Sequence, residues 1–209
     1  MNYKTKSFLR REEYKALSKL CINGDILDVG GSKKSGYHEL IRGNHKIIVG
    51  NIDELYGIDI VFDAQKTWPF KDSNFACVLF INVLEHLFDY KIAVSEAHRV
   101  LKDEGKIVGV VPFMLNVHET PDDYFRYTKS ALEKILSSAG FKSIEIKELG
   151  SGSFSVIYNI LIGFMRWVWL ASLMIFIFRC LDRLFFILKS NSKMTVKYMP
   201  LGYYFEAIK

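Results

Sequence analysis

The chain has 209 residues, half of them apolar and 24% charged, which supplies a sizeable core for one domain and excludes global disorder. Lys and Arg outnumber Asp and Glu by 28 to 23, a net charge of +5 with no basic stripe, so a nucleic-acid partner is not expected. Three scattered cysteines, Cys21, Cys77 and Cys180, without a CxxC pair, exclude a disulfide framework and a cysteine-rich zinc site, and fit a reducing, cytoplasmic setting.

The first 20 or so residues are charged and amphipathic and lack the apolar run of a secretory signal. Phe8, Leu9, Tyr14, Leu17 and Leu20 give them one apolar face, and a helix within residues 1–24 is expected to cover an edge of the domain. From Asp25 to Leu149 the pattern alternates between strand and helix. Strands are predicted at Asp25–Val29, Lys46–Val49, Ile58–Phe62, Ala76–Val83, Lys106–Val111 and Ser143–Ile146. A helical period runs through Ile92, Val94, Ala97, Val100 and Leu101 to a stop at Gly105, and a second helix is predicted from Lys129 to Ala139, stopped by Gly140. This order predicts an α/β domain, a mostly parallel sheet with helices on both faces.

In such sheets ligands sit beyond the carboxyl ends of the strands, so the residues just after each strand carry the information. The first strand ends in Asp28-Val29-Gly30-Gly31. A phosphate loop is excluded because Tyr37 and His38 stand where Lys and Ser/Thr are needed, and no GxGxxG spacing occurs. An acidic residue followed by a glycine turn suits a ligand with a cationic amino-acid end. Lys33 and Lys34 could meet that ligand's carboxylate or form a solvated loop. The second strand ends near Asn51 and Asp53, the third at Asp63-Ala64, the fourth at Asn82-Val83-Leu84-Glu85-His86. After the fifth comes the most polar loop of the chain, Asn116 to Thr128, with His118, Asp122, Tyr124, Arg126 and Tyr127. Thr128 is placed to cap the following helix.

Taken together, ILDVGG (26–31), DIVFDA (59–64), WPFKDSNFACVLFINVLEHL (68–87), EAHRVLKDEGKIVGVVPF (96–113) and FRYTKSALEKILSSAGF (125–141) resemble class I S-adenosylmethionine-dependent methyltransferases, in particular the type 11 branch. The resemblance implies a Rossmann-like methyltransferase fold with a seven-stranded sheet. Its last strand, within 198–209, would run antiparallel between the fifth and sixth. It also implies S-adenosylmethionine as cofactor, held by Asp28, Gly30, Gly31, Asn51 or Asp53, Asp63, Ala64, Asn82 and Val83. The loop departs from the family's D-x-G-x-G-x-G, because Ser32 and Lys34 occupy the later glycine positions. His118 is the first choice of general base, with Asp122 and His86 next, since a hydroxyl acceptor needs a base within hydrogen-bond reach. Glu85, Tyr124, Arg126 and Tyr127 are expected to face the acceptor, Arg126 either holding an anionic group or pairing with Asp122 or Asp123. Methyl transfer from a sulfonium needs no metal, and no metal-ligand spacing stands out.

Residues 151–192 form an apolar insertion between the core, 25–150, and the final strand. Phe154–Phe178 is long enough for one helical span, but a single span would leave the last strand across the membrane from its sheet. Two spans need about 40 residues, more than Phe154–Lys189 provides, and Arg166 would lie near mid-bilayer. Two helices lying in the interface are expected, with Trp167, Trp169, Arg179, Arg183 and Lys189 at the headgroup boundary. The alternative cover is protein, as a helical cap or a dimer interface. The expected protein is a single-domain methyltransferase on the inner face of a membrane, acting on a hydroxyl of a glycan or lipid-linked small molecule. The rival readings are a methyltransferase of quinones or other prenylated rings, and a non-catalytic partner protein.

Overall fold

The computed structural model describes residues 7–54, 57–119, 122–161, 168–188 and 195–209, apart from the side chains of 168–172. Seven strands form one sheet: β1 Ile26–Val29, β2 Ile47–Asn51, β3 Ile60–Val61, β4 Phe75–Ile81, β5 Leu101–Pro112, β6 Lys142–Leu149 and β7 Gly202–Ile208. Their order is β3-β2-β1-β4-β5-β7-β6. The pairs among β1 to β5 are parallel, and β7 runs antiparallel between β5 and β6. This is the Rossmann-like methyltransferase arrangement that the resemblance implies, with the final strand returning to the sheet after the apolar insertion.

Alternation of side chains across each strand splits the interior into two layers. Leu27, Val29, Val78 and Phe80 point to one face, where α2 (Tyr90–Val100) and α3 (Lys129–Ser138) bury Ala93, Val94, Ala97, Val100, Leu132 and Leu136. Ile26, Cys77, Leu79, Ile81, Val108 and Val110 point to the other. That face is closed by α1 (Phe8–Leu17) and by α4 (Ser153–Leu161) with α5 (Val168–Leu188). The five apolar residues expected on the first helix are all buried, and Ser7 caps it by accepting from the Arg10 N–H at 3.2 Å. Thr128 caps α3 as expected, through the Ala131 N–H.

The regular alternation of strand and helix expected from Asp25 to Leu149 holds only in its second half. Among the described residues, the links from β1 to β4 hold a 3-10 turn at His38–Leu40 and no α-helix. These stretches carry Gly36, Gly43 and Gly57 and lack a helical apolar period, so no stripe could have packed on the sheet. Arg99 of α2 does the holding instead. It donates to the carbonyls of Trp68 and Phe70 and pairs with Glu96 and Asp72, while Glu96 accepts the Trp68 N–H at 2.7 Å. The third strand is also shorter than expected, two residues against five, and Phe62 turns inward to pack with Trp68 and Phe70.

The insertion is two helices. Asp182 on α5 is buried and accepts from Ser151 Oγ at 2.6 Å and from the N–H groups of Phe154 and Ser155 at 3.0 Å. A carboxylate from one helix thus caps the start of the other, which fixes the pair. Arg179 reaches Glu12 of α1 at 3.2 Å and lies over the Phe8 ring. The outer sides stay apolar: Ile160, Phe176, Ile187 and Leu188 are each more than 60% exposed. No helix among the described residues is long and apolar enough to cross a membrane. Arg166, Trp167 and Lys189 lie outside the described residues, as does the Trp169 side chain.

Candidate active site

The carboxyl ends of β1, β2, β3 and β4 share one edge of the sheet, because these strands are parallel. Gly30 follows β1 with φ +69°, the left-handed region that glycine enters without strain, and a Cβ there would strike Val83 at 2.8 Å. A Cβ on Gly31 would lie 1.9 Å from Asp28 Oδ2, so the turn folds directly over the acid.

Asp28 itself is enclosed. Tyr37 Oη donates to its Oδ2 at 2.8 Å and His38 Nε2 lies 2.7 Å from the same oxygen. Burial raises the Asp28 pKa above the usual carboxylate range, against the opposing pull of His38 and Tyr37. The Asp28 carboxylate thus braces the glycine turn through Oδ2, while its buried Oδ1 has no hydrogen-bond partner among the described residues. Sequence reading missed Tyr37 and His38, although both stand where a phosphate loop would need Lys and Ser/Thr. Lys33, weighed as a cofactor contact, is instead paired with Asp59 at 2.5 Å.

Farther along the edge, Asn51 Nδ2 donates to the Gly31 carbonyl at 2.9 Å, tying the end of β2 to the turn after β1. Asp53 is half-buried beside it. Asp63 accepts the Gln65 N–H and pairs with Lys66 at 3.3 Å, while the Ala64 carbonyl accepts from Trp68 Nε1. Asn82 ends β4 with φ +55° and donates to Glu13 of α1 at 3.0 Å, and Val83 is buried against Gly30. The residues present fit S-adenosylmethionine: an exposed Gly30 permits close backbone approach, and half-buried Asp53 and Asp63 offer acceptors for ribose hydroxyls and the adenine amino group, beside Asn51, whose side chain is held between the Gly31 carbonyl and the Ile52 N–H.

The second half of the site is where β4 meets the loop after β5. A 3-10 turn, Leu84–His86, carries Glu85 and His86. The loop folds back on it. Tyr124 and Phe125 donate their N–H groups to the Glu85 carbonyl at 2.8 and 3.2 Å, and His86 Nδ1 meets the Asp122 carbonyl at 2.5 Å. That contact makes Nδ1 the donor and leaves Nε2 as the free acceptor. His118 is brought edge-to-face with His86, ring centroids 5.2 Å apart. Its N–H donates to Asp123 Oδ2 at 2.9 Å, and its Nδ1 faces the same oxygen at 3.5 Å. Residues 120–121 lie outside the described residues.

Glu85 is fully buried, and neither carboxylate oxygen has a hydrogen-bond partner among the described residues. Burial pushes its pKa up to about 8. Glu85, His86 and His118 offer ligand atoms within 4.8 Å of one another, which the expectation of no metal cluster did not foresee.

Of the two roles expected for Arg126 the structure shows the pairing: it is a two-pronged partner of Asp123, at 2.5 and 2.6 Å, and holds that carboxyl well below the usual range, bracing the loop. Two other residues of the loop stand differently from expectation. Tyr127 is buried and donates to the Leu84 carbonyl at 3.1 Å. The Asp122 side chain accepts from the exposed Tyr124 hydroxyl at 3.0 Å, and its contact with the histidines is through its backbone carbonyl. Tyr124 remains at the surface, next to Phe88.

Residues 43–109 match the family model described as a methyltransferase domain. Two uncharacterised proteins of Methanocaldococcus jannaschii are similar in sequence. One is 54% identical over 43 residues, 21% of this chain and 19% of its own length; the other is 31% identical over 108 residues, 46% of this chain and 53% of its own. The matched segments thus span about half the length of these relatives or less. Among solved structures, a SAM-dependent methyltransferase from Archaeoglobus fulgidus superposes with TM-score 0.59 at 17% identity, covering 96% of this chain and 91% of that one. Haemonchus contortus phosphoethanolamine N-methyltransferase 2, in complex with S-adenosyl-L-methionine, gives 0.60 at 15%, covering 96% and 52%. The [4+2]-cyclase SpnF gives 0.60 at 15%, covering 100% and 85%.

Proposed function

We propose that this chain, a class I S-adenosylmethionine-dependent methyltransferase by its fold and its matched family segment, methylates a hydroxyl of a small glycan or lipid-linked acceptor delivered at a membrane surface. S-adenosylmethionine would lie along Gly30, Gly31, Asn51, Asp53 and Asp63, and supplies a methyl group on a sulfonium leaving group. The reading is carried by the His86–His118 pair. It stands beside the end of β4, on the edge where the cofactor residues gather, and the Asp122 carbonyl fixes the His86 tautomer. A reaction with its leaving group already in place needs chiefly that the acceptor oxygen be held in line and relieved of its proton. An imidazole, able to accept a proton at one ring nitrogen while donating at the other, suits that role.

The membrane part of the reading rests on α4 and α5. Many of their outward residues are apolar, Arg183 punctuates them, Asp182 ties α5 to the start of α4, and Arg179 ties α5 to α1 through Glu12. An apolar surface with cationic punctuation suits the boundary between headgroups and acyl chains. It equally suits an acceptor with a prenylated ring, which keeps that substrate class as the second reading.

Two measurements test this. Calorimetry on detergent-solubilised protein should give micromolar binding of S-adenosylmethionine and S-adenosylhomocysteine; folded protein that binds neither is a non-catalytic relative. In flotation with anionic lipid vesicles the chain should rise with the lipid, and Phe176→Glu with Ile187→Glu should leave it at the bottom. Flotation unchanged by those substitutions would point to a protein partner for this face.

A further inference from the structure

We propose that Glu85, His86 and His118 form a binding site for one divalent transition-metal cation, zinc by preference, at the acceptor end of the cleft. The placement deepens the reading above and rests on it for what the cation does, though not for its binding.

The chemistry of the three side chains is the first argument. Two imidazoles and one carboxylate are a ligand set suited to zinc, and three protein ligands leave a fourth position for an oxygen of water or substrate. The second argument is Glu85. A carboxyl group removed from solvent costs free energy unless something satisfies it. Neither of its oxygens has a hydrogen-bond partner among the described residues, and His86 Nε2 lies 3.8 Å from Oε1.

The third argument is orientation. Metal-bound histidines commonly donate their other ring N–H to a carbonyl or carboxylate, which fixes the tautomer. His86 does this with the Asp122 carbonyl. His118 presents Nδ1 to Asp123 and to the Asn116 carbonyl, leaving Nε2 for the cation. The nearest competing positive charge, Arg126, is already neutralised by its two-pronged pairing with Asp123.

The distances allow closure. Tetrahedral bonds of about 2.0–2.1 Å set ligand atoms roughly 3.3 Å apart. The three groups lie within 4.8 Å of one another, so a bound cation would draw them together by roughly 1.5 Å at most, with His86 held by Asp122 and the 39% exposed His118 making the adjustment. In the loaded protein the imidazoles are ligands and not bases. An acceptor hydroxyl takes the fourth position, its proton leaves to solvent, its oxygen forms the bond to the methyl carbon, and the carbon–sulfur electron pair stays on sulfur.

The experiment is metal binding by the full chain, stripped with a chelator and reloaded with zinc or cobalt(II). One zinc per chain should survive gel filtration, and cobalt should give the visible bands of a four- or five-coordinate site. Glu85→Gln, a neutral isostere, and His118→Ala, on a surface loop, should each weaken zinc binding at least about tenfold, with thermal melting recorded to show that both variants fold. No zinc retained by the folded chain, or zinc binding equal in both variants, overturns the site. S-adenosylmethionine calorimetry on the same samples separates the two readings: cofactor binding without zinc removes only the metal site, and zinc without cofactor removes only the methyltransferase reading.

Discussion

Two carboxylic acids with nearby histidines stand at the ends of neighbouring strands, and they are satisfied in opposite ways. Asp28, at the end of β1, is fully buried and receives Tyr37 and His38 on one oxygen. Glu85, just past β4, is equally buried and receives nothing on either, with His86 at 3.8 Å and His118 in reach. Their pKa values both move up, and burial is the main cause in each. The difference lies in the donors. A buried acid that the fold has supplied with partners stabilises a turn; one that the fold leaves unsupplied beside two imidazoles is arranged for something that arrives later.

The largest expected effect falls on the second cluster. His118→Ala should lower turnover by about 10²–10⁴-fold, the usual scale for losing a group that handles the reacting proton, directly or by holding the cation that acidifies the hydroxyl, while S-adenosylmethionine affinity and melting temperature hold. Glu85→Gln should lower turnover too, without loss of stability, since the amide removes an ionisable group from a buried site. Wild-type turnover by His118→Ala with an authentic acceptor would take His118 out of the chemistry.

Asp28→Asn tests the other half of the contrast. Its hydrogen bonds to a buried acid are worth about 1.5–3 kcal/mol in such settings, or roughly 4–10 °C in melting temperature for a chain of this size. S-adenosylmethionine affinity should change by less than about threefold, or ~0.7 kcal/mol. If instead binding were lost at an unchanged melting temperature, Asp28 would rank among the cofactor contacts and the two acids would no longer differ in kind.

That contrast was only partly legible in the sequence. Most of the strands announced themselves as short apolar runs, the first two ending at glycines, because a strand buried on both faces has to read that way. The last strand came from the family resemblance and agrees with the observed order. Glu85 and His86 stood out by following β4, and His118 by sitting in the polar loop after β5. Nothing local could say that 33 residues of sequence separation close to a few ångströms, because that depends on Asp123 clamping Arg126 and on Phe125 and Tyr124 reaching the Glu85 carbonyl. The same limit hid the partners of Asp28, which arrive from a 3-10 turn with no periodicity. Asp182 could have been noticed: it is the one acidic residue between Phe154 and Leu188, and a lone carboxylate in an apolar stretch asks for donors.

The smallest effect belongs to a third carboxylate, near the surface, which calibrates the other two. Arg99 beside Glu96 holds that carboxyl below its ordinary range, with the Trp68 N–H assisting. Its folded pKa is therefore lower than its unfolded one, ordinarily about 4.3. The folded chain binds fewer protons than the unfolded chain in that window, so the pair contributes its full stability above the unfolded value and loses it as pH falls through the folded one. Glu96→Gln should cost about 1 kcal/mol or less at neutral pH, given the partial exposure of Arg99. Urea unfolding from pH 6 down to pH 3 should show the gap between wild type and variant narrowing with acid. The buried acids have the opposite sign, with folded values above unfolded ones, so Asp28→Asn should show no such narrowing; if both variants converged on wild type in acid, burial would not be what governs Asp28.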